Sequence, residues 1–160
     1  MIPRLAFPVT IALLLLLVLP AGAVSVRHID ATVAENGDTY IVADYSLSWA
    51  EKAIVYPAAL PLLLASPKKN VQVISVSPEE VTLNVRHLVK VQQIPAARRY
   101  TTPAFSLADA RKELDKYWFS HMVQLDGATG NLTIRFPDGE IIEHQDLTFV
   151  PSFEHVAGDR

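Results

Sequence analysis

Strict alternation of apolar and polar residues near the N-terminus is the feature that most constrains the fold. The run 39–49 places its apolar side chains on one face of an extended chain, and these are Ile41, Ala43, Tyr45, Leu47 and Trp49. The run 25–33 alternates in the same way, and Asn36-Gly37, between the two runs, favours a type I′ turn. The pattern predicts a β-hairpin with one buried face.

Extended segments recur in the middle of the chain. Residues 71–77 are predicted to form a strand, residues 81–91 alternate, and Pro78 between them presets the backbone angle of a turn. His87 interrupts the apolar face of the second run. A loop is predicted over 92–99, because this stretch contains a proline and does not alternate.

The C-terminal part of the chain carries a second hairpin signal. Leu132, Ile134 and Phe136 alternate with polar residues, and Pro137-Asp138-Gly139 has the composition of a turn. Residues 140–144 return as the partner strand. The last residues, 156–160, are predicted to form a mobile tail.

Two segments have helical rather than extended character. Residues 106–118 place apolar side chains on one face at helical spacing, and Ser106 can cap the N-terminus. The segment 50–66 is apolar but contains Pro57 and Pro61, which predicts a broken helical excursion and not one continuous helix.

These elements predict a mainly β, β-rich α+β domain. Strands adjacent in sequence and joined by turn residues favour antiparallel pairing, either as a sandwich or as one curved sheet. The helix over 106–118 and the broken segment 50–66 would cover its open side. With no internal repeat and no linker, residues 24–155 are expected to form a single domain.

The first 23 residues have the organisation of a cleavable signal peptide. Arg4 precedes the charge-free run 5–19, Pro20 ends it, and Ala21-Gly22-Ala23 provides small residues for cleavage. The alternative is a retained membrane anchor formed by residues 5–23. The apolar run is short of the roughly 20 residues that a spanning helix needs, which favours cleavage and an extracytoplasmic protein, whether secreted, periplasmic or on the cell surface.

Composition narrows the classes of partner. Removing the signal peptide leaves 137 of the 160 residues and takes the formal net charge from −3 to −4. An acidic chain without a basic stripe argues against nucleic acid as a partner. The chain has no cysteine, so a disulfide framework, a thiolate metal site and thiol catalysis are all excluded.

An uncharged stretch within the broken segment is the strongest candidate for contact with a partner. Residues 53–65 contain no charged side chain. One interpretation is that this stretch covers the core; the other is that it binds a protein, another envelope macromolecule or a membrane surface. Its candidate contact residues are Ile54, Leu60, Leu62 and Leu63.

Histidine and aspartate pairs suggest a metal site as an alternative. His28 and Asp30, and likewise His144 and Asp146, stand two residues apart, so each pair would share one face of a strand. If the two strands were neighbours, four ligands suited to zinc or copper could meet. The competing interpretation is that they are solvated residues on polar strand faces.

No catalytic motif is present. The chain lacks a G-x-S-x-G elbow and a glycine-rich phosphate loop, and no cofactor is predicted. Asn131-Leu132-Thr133 is an N-glycosylation sequon in a chain with an export signal. The sequence therefore predicts a non-enzymatic envelope or secreted module that binds another macromolecule through residues 53–65 or a strand edge, with self-association as a variant.

Overall fold

In the computed structural model, the described residues are 25–53, 56–57, 70–106, 108, 112, 115 and 130–158. They form a mainly β structure, as predicted, with one short helix, α1 (Trp49–Ala53). The strands are β1 (Ser25–Val33), β2 (Thr39–Ser46), β3 (Val71–Val76), β4 (Glu80–Val85), β5 (Lys90–Ile94), β6 (Ala97–Thr101), β7 (Phe105–Ser106), β8 (Asn131–Arg135), β9 (Ile141–Gln145), β10 (Phe149–Val150) and β11 (Glu154–Gly158).

Six strands form the larger sheet, in the order β3-β4-β2-β1-β8-β9. Neighbours pair antiparallel except β1 and β8, which run parallel from His28 opposite Asn131 to Thr32 opposite Arg135. The second sheet has the order β11-β6-β5, and β10 pairs with β7. Because β1 and β8 are parallel, the β1–β2 and β8–β9 hairpins place their turns at the same end of the larger sheet.

The predicted N-terminal hairpin is confirmed, but its turn is of another type. The Ala34 N–H donates to the Asp38 carbonyl oxygen at 2.8 Å, and the Gly37 N–H donates to the Ala34 carbonyl oxygen at 2.9 Å. Gly37 has φ +84°, whereas Asn36 has no positive φ. The connection is therefore a type I turn followed by a left-handed glycine, and not the type I′ turn that Asn-Gly predicts.

The predicted C-terminal hairpin is confirmed and repeats this turn. The Phe136 N–H donates to the Glu140 carbonyl oxygen at 2.9 Å, and the Gly139 N–H donates to the Phe136 carbonyl oxygen at 3.0 Å. Gly139 has φ +94°. The Asp138 carboxylate accepts the Glu140 N–H at 3.3 Å, as the Asn36 amide oxygen accepts the Asp38 N–H at 3.0 Å in the first turn.

The predicted single strand over 81–91 is wrong, because the chain changes sheet inside it. β4 ends at Val85 in the larger sheet, and β5 begins at Lys90 in the second sheet. His87 has φ +51°, which breaks the extended backbone, and its N–H donates to the Asp38 carboxylate at 2.8 Å. The alternation continues across the break because both strands bury one face.

The second sheet corrects two further predictions. Residues 92–99 are not a loop: most of them belong to β5 and β6, which pair across a turn in which Ala96 has φ +59°. Residues 156–158, predicted to begin a mobile tail, belong to β11, which pairs antiparallel with β6 along its whole length. All three strands are five residues long, and none of them alternates regularly between apolar and polar residues.

One cluster of buried side chains joins all three sheets. It includes Ala31 and Ile134 from the larger sheet, Tyr100 and Ala157 from the second, and Val150 from β10. Tyr100 is only 1% exposed, and its ring centroid lies 5.9 Å from that of Phe136. Burial of such side chains stabilises the fold by about 1.5 to 3 kcal/mol each.

The helix predicted over 106–118 lies almost entirely outside the described residues. Ser106, its predicted cap, is the last residue of β7. Helix α1 stands at the start of the predicted segment 50–66, most of which is also outside the described residues. No helix within the described ranges has the length and the apolar character needed to cross a bilayer.

Candidate functional site

The edge strand β9 presents unpaired backbone groups in a regular row. Its hairpin with β8 closes at the hydrogen bond between Phe136 and Glu140, and paired and unpaired residues alternate from that point along antiparallel strands. Among the described strands, β9 has a neighbour on one side only. The backbone N–H and C=O groups that point away from the sheet belong to Ile141, Glu143 and Gln145.

The opposite edge of the sheet, β3, is shaped differently. Its register with β4 shifts between Val73 and Ser75, so Ile74 forms a bulge. A bulge bends an edge strand and interrupts the row of groups that a second chain would need. The pairing of β9 with β8 has no such shift, and β9 contains neither proline nor lysine.

Exposed apolar side chains flank the β9 edge. Ile141 is 46% exposed on the strand itself, and Phe149 is 58% exposed on β10. Phe149 lies next to β9, because its carbonyl oxygen is 3.1 Å from Nε2 of His144. These two side chains place apolar surface beside the open strand edge.

The surroundings of β9 are acidic. Residues 136–158 contain five carboxylates and neither lysine nor arginine. Hydrogen bonds from the Thr148 hydroxyl and N–H, with a smaller contribution from nearby His144, hold the pKa of Asp146 below its usual value. Arg135, opposite Ile141 on β8, is matched to Asp30, with 3.2 Å between its Nε and the Asp30 Oδ1.

The structure does not bring the four metal candidates together. Nε2 of His28 lies 3.1 Å from Oδ2 of Asp30, and this carboxylate also pairs with Arg135. Asp30 shares one face of the sheet with its register partners Thr133 and Glu143, so His144, the next residue along, points to the other face. In the part of the chain that the structure describes, no three potential ligands form a metal-binding group.

The apolar candidates Ile54, Leu60, Leu62 and Leu63 lie outside the described residues. The segment that leads to them is anchored by α1, where Nζ of Lys52 lies 3.0 Å from Oε1 of Glu79 in the β3–β4 turn. Trp49 at the start of this helix is 72% exposed. A cavity of about 370 Å³ opens beside α1, lined by Arg27, Asp44, Tyr45, Ser46, Lys52 and Glu79.

The sequon lies at the start of β8. Asn131 is exposed, whereas Thr133, the hydroxyl-bearing residue of the sequon, is 7% exposed. Asn131 is paired with His28 on β1 and with Gln145 on β9, so it occupies an interior strand of the sheet. Whether it carries a glycan stays a prediction.

The end of the sheet that carries the two hairpin turns, 34–38 and 136–140, holds polar contacts that the sequence did not indicate. Nε2 of His155 on β11 lies 2.7 Å from Oδ2 of Asp138, and the Arg98 guanidinium on β6 lies 2.8 Å from Oε2 of Glu35. A cavity of about 180 Å³ lies between these pairs. The partners are 17 and 63 residues apart, so no local pattern connects them.

Hydrogen bonds lower the pKa of the two aspartates at this turn end. Burial alone would raise the pKa of Asp138, but hydrogen bonds from His155 and from the Glu140 N–H outweigh it and lower the pKa. The His87 N–H lowers the pKa of Asp38. These carboxylates therefore link the turns of the larger sheet to the second sheet and to the chain that leads into it.

Comparison with known proteins does not name a family: no protein-family model, curated protein or solved structure matches the chain.

Proposed function

We propose that this chain is an exported, non-enzymatic module that binds an extended segment of a partner protein along the β9 edge. The segment would add to the larger sheet as a seventh strand beside β9. The observation that carries this proposal is the regular row of outward backbone groups at Ile141, Glu143 and Gln145, flanked by exposed Ile141 and Phe149. Strand addition of this kind draws affinity from the backbone and specificity from alternate side chains.

The contrast between the two edges of the sheet supports β9 as the binding edge. Native proteins guard exposed edges with bulges, prolines or lysines, because an open edge accepts other chains. The β3 edge has a bulge at Ile74, and β9 has none of these devices. An edge without a bulge, proline or lysine, and with an apolar flank, is suited to pairing with another chain.

Other polar groups support a binding role over a catalytic one. The histidines and carboxylates of the turn end pair across the two sheets, and His28 pairs with Asp30. The two contacts at the turn end fix one element against another, whereas the His28–Asp30 contact lies within β1. We extend the proposal to the arrangement of the sheets, in which the larger and the second sheet pack as a sandwich around the shared core.

The export part of the proposal rests on the charge-free run 5–19 and on Ala21-Gly22-Ala23. Cell fractionation, followed by determination of the N-terminus and mass, tests it. A product that begins at Val24 outside the cytoplasm supports cleavage. An intact Met1 in the membrane fraction would show that residues 5–23 are an anchor.

Binding at the β9 edge is tested with the exported protein and a library of extended peptides in which apolar and polar residues alternate. The decisive variant is Glu143→Pro, which removes an outward N–H and leaves the bonds to β8 in place. Its matched control is Glu143→Thr, which removes the same charge but keeps the N–H. Circular dichroism and chemical denaturation establish that both variants fold.

The proposal predicts that Glu143→Pro weakens peptide binding by about tenfold or more, whereas Glu143→Thr weakens it severalfold at most. Ile74→Asp on the β3 edge should leave binding unchanged. Equal binding by the proline variant, or loss of binding in Ile74→Asp alone, would contradict the proposal. So would the absence of any binding peptide.

A further inference from the structure

The acidic character of the β9 edge indicates which kind of strand could pair with it. Between Phe136 and Gly158 the chain carries Asp138, Glu140, Glu143, Asp146 and Glu154, with no lysine or arginine. A strand added here would enter a region of negative potential. Electrostatic complementarity of this kind selects partners and discriminates against chains with the same sign of charge.

Two of these carboxylates are already satisfied within the fold. Asp138 pairs with His155, and Asp146 accepts the Thr148 N–H at 2.9 Å. Glu140 and Glu143 are exposed, and within the described ranges their carboxylates contact no basic side chain. The nearest arginine on the adjacent strand, Arg135, is paired with Asp30. Glu143 therefore stands at the middle of the edge with an unmatched charge.

The side chains of β9 alternate between the two faces of the sheet. Ile141 and Glu143 share one face, two residues apart, and both are exposed. A strand that paired with β9 would place one side chain opposite Glu143 and another, two positions away, opposite Ile141. Opposite charges and matched apolar groups at such cross-strand positions each stabilise pairing by about 0.2 to 1 kcal/mol.

We propose that the partner segment is a basic extended strand, with lysine or arginine opposite Glu143 and an apolar residue two positions away, opposite Ile141. This inference rests on the proposed function, because it assumes that the β9 edge accepts a strand. It goes further by naming the chemistry of the occupant. An acidic or a purely apolar segment would be bound less well.

The test uses two synthetic peptides, each about nine residues long, of alternating valine and threonine. One carries a central lysine and the other a central glutamate in the same position. Titration of the exported protein with each peptide gives the ratio of their dissociation constants. The wild-type chain should prefer the lysine peptide by about five- to tenfold, and added salt should reduce this preference.

Variants at Glu143 assign the preference to this side chain. Glu143→Gln should bind the two peptides with similar affinity, and Glu143→Lys should prefer the glutamate peptide. An unchanged lysine preference in Glu143→Lys would overturn the inference that Glu143 selects the partner.

The outcomes separate this inference from the proposed function. If wild type binds both peptides equally and Glu143→Pro binds neither, strand addition at β9 stands and the basic partner is wrong. If wild type binds neither of these peptides nor any peptide of the alternating library, both fail. Dimers that form without peptide and are abolished by Glu143→Pro would assign the edge to a second copy of the chain and overturn the choice of partner.

Discussion

The turn end of the molecule and the β9 edge use acidic residues in opposite ways. At the turn end, Asp38 and Asp138 receive hydrogen bonds from residues of the second sheet or of the chain that leads into it. Along β9, Glu143 has no such neighbour among the described residues. Carboxylate side chains thus join two sheets in one region and stay available in the other.

This difference has a physical origin in the topology. Parallel pairing of β1 and β8 brings two identical turns together, and β6 and β11 of the second sheet lie against them. Side chains of the turns contact side chains of β6 and β11 because both sheets end there. β9 is the last strand of its sheet, so its outer side meets no second layer of strands within the described ranges. We expect stability to depend on the turn end and binding to depend on the edge.

The largest expected effect is a difference between the two regions in how much a substitution lowers the free energy of unfolding. Tyr100→Ala removes a side chain that is 1% exposed at the junction of the sheets, and should lower the free energy of unfolding by about 3 to 5 kcal/mol. Phe149→Ala at the β9 edge, where the ring is 58% exposed, should lower it by less than about 1 kcal/mol. Urea denaturation measures both, and equal losses would remove the distinction between the regions.

A matched pair of glycine variants compares the two turns. A Cβ at Gly37, where φ is +84°, would clash with the Val89 carbonyl oxygen, so Gly37→Ala must displace the chain that enters the second sheet. A Cβ at Gly139, where φ is +94°, meets nothing within 4 Å. Gly139→Ala should therefore cost only the left-handed strain of about 1 to 2 kcal/mol, and Gly37→Ala clearly more. Equal thermal destabilisation would show that the first turn can move away from Val89.

Acid sensitivity should reside at the turn end. The pKa of Asp138 is lower in the folded chain than its ordinary value of 3.8. Its contribution to stability is therefore complete above that value and is lost as the pH falls through the lower, folded pKa. Asp138→Asn keeps the size of the side chain and should lose less stability than wild type between about pH 5 and 2. Unfolding free energies measured across this range test the prediction, and parallel curves would contradict it.

The smallest expected effect on stability is at the edge itself. Ile141→Thr keeps a β-branched side chain on a position that is already 46% exposed, so the free energy of unfolding should change by about 0.5 kcal/mol or less. Affinity for the lysine peptide should nevertheless fall severalfold, because the apolar cross-strand contact is lost. A variant with unchanged affinity would exclude Ile141 from the binding surface.

Both predicted hairpins could be inferred from sequence because their signals are local. Alternation and a turn with Gly37 or Gly139 determine which residues face each other across a few positions. The break at His87 could not be inferred, since the apolar period continues through it while the backbone takes a positive φ. The strand β11 was missed because a strand of five residues without alternation depends on its partner β6 and not on its own pattern.

The candidate site was predictable only in part. Residues 140–144 were predicted to be a strand and the acidic residues are visible in the sequence, but an edge is a property of strand order, which is set by the distant pairing of β1 with β8. The same non-local pairing determines whether the four metal candidates lie close together. The hypothesis required the strands of His28 and His144 to be neighbours, but β8 lies between β1 and β9. The register also places the two histidines on opposite faces of the sheet.

Amide hydrogen exchange of the exported protein, with and without the lysine peptide, tests the central claim most directly. Strand addition at β9 predicts slower exchange of the outward N–H groups of Ile141, Glu143 and Gln145, with no change along β3 (Val71–Val76). Slower exchange along β3, or unchanged exchange at Glu143 when the peptide is bound, would contradict the account.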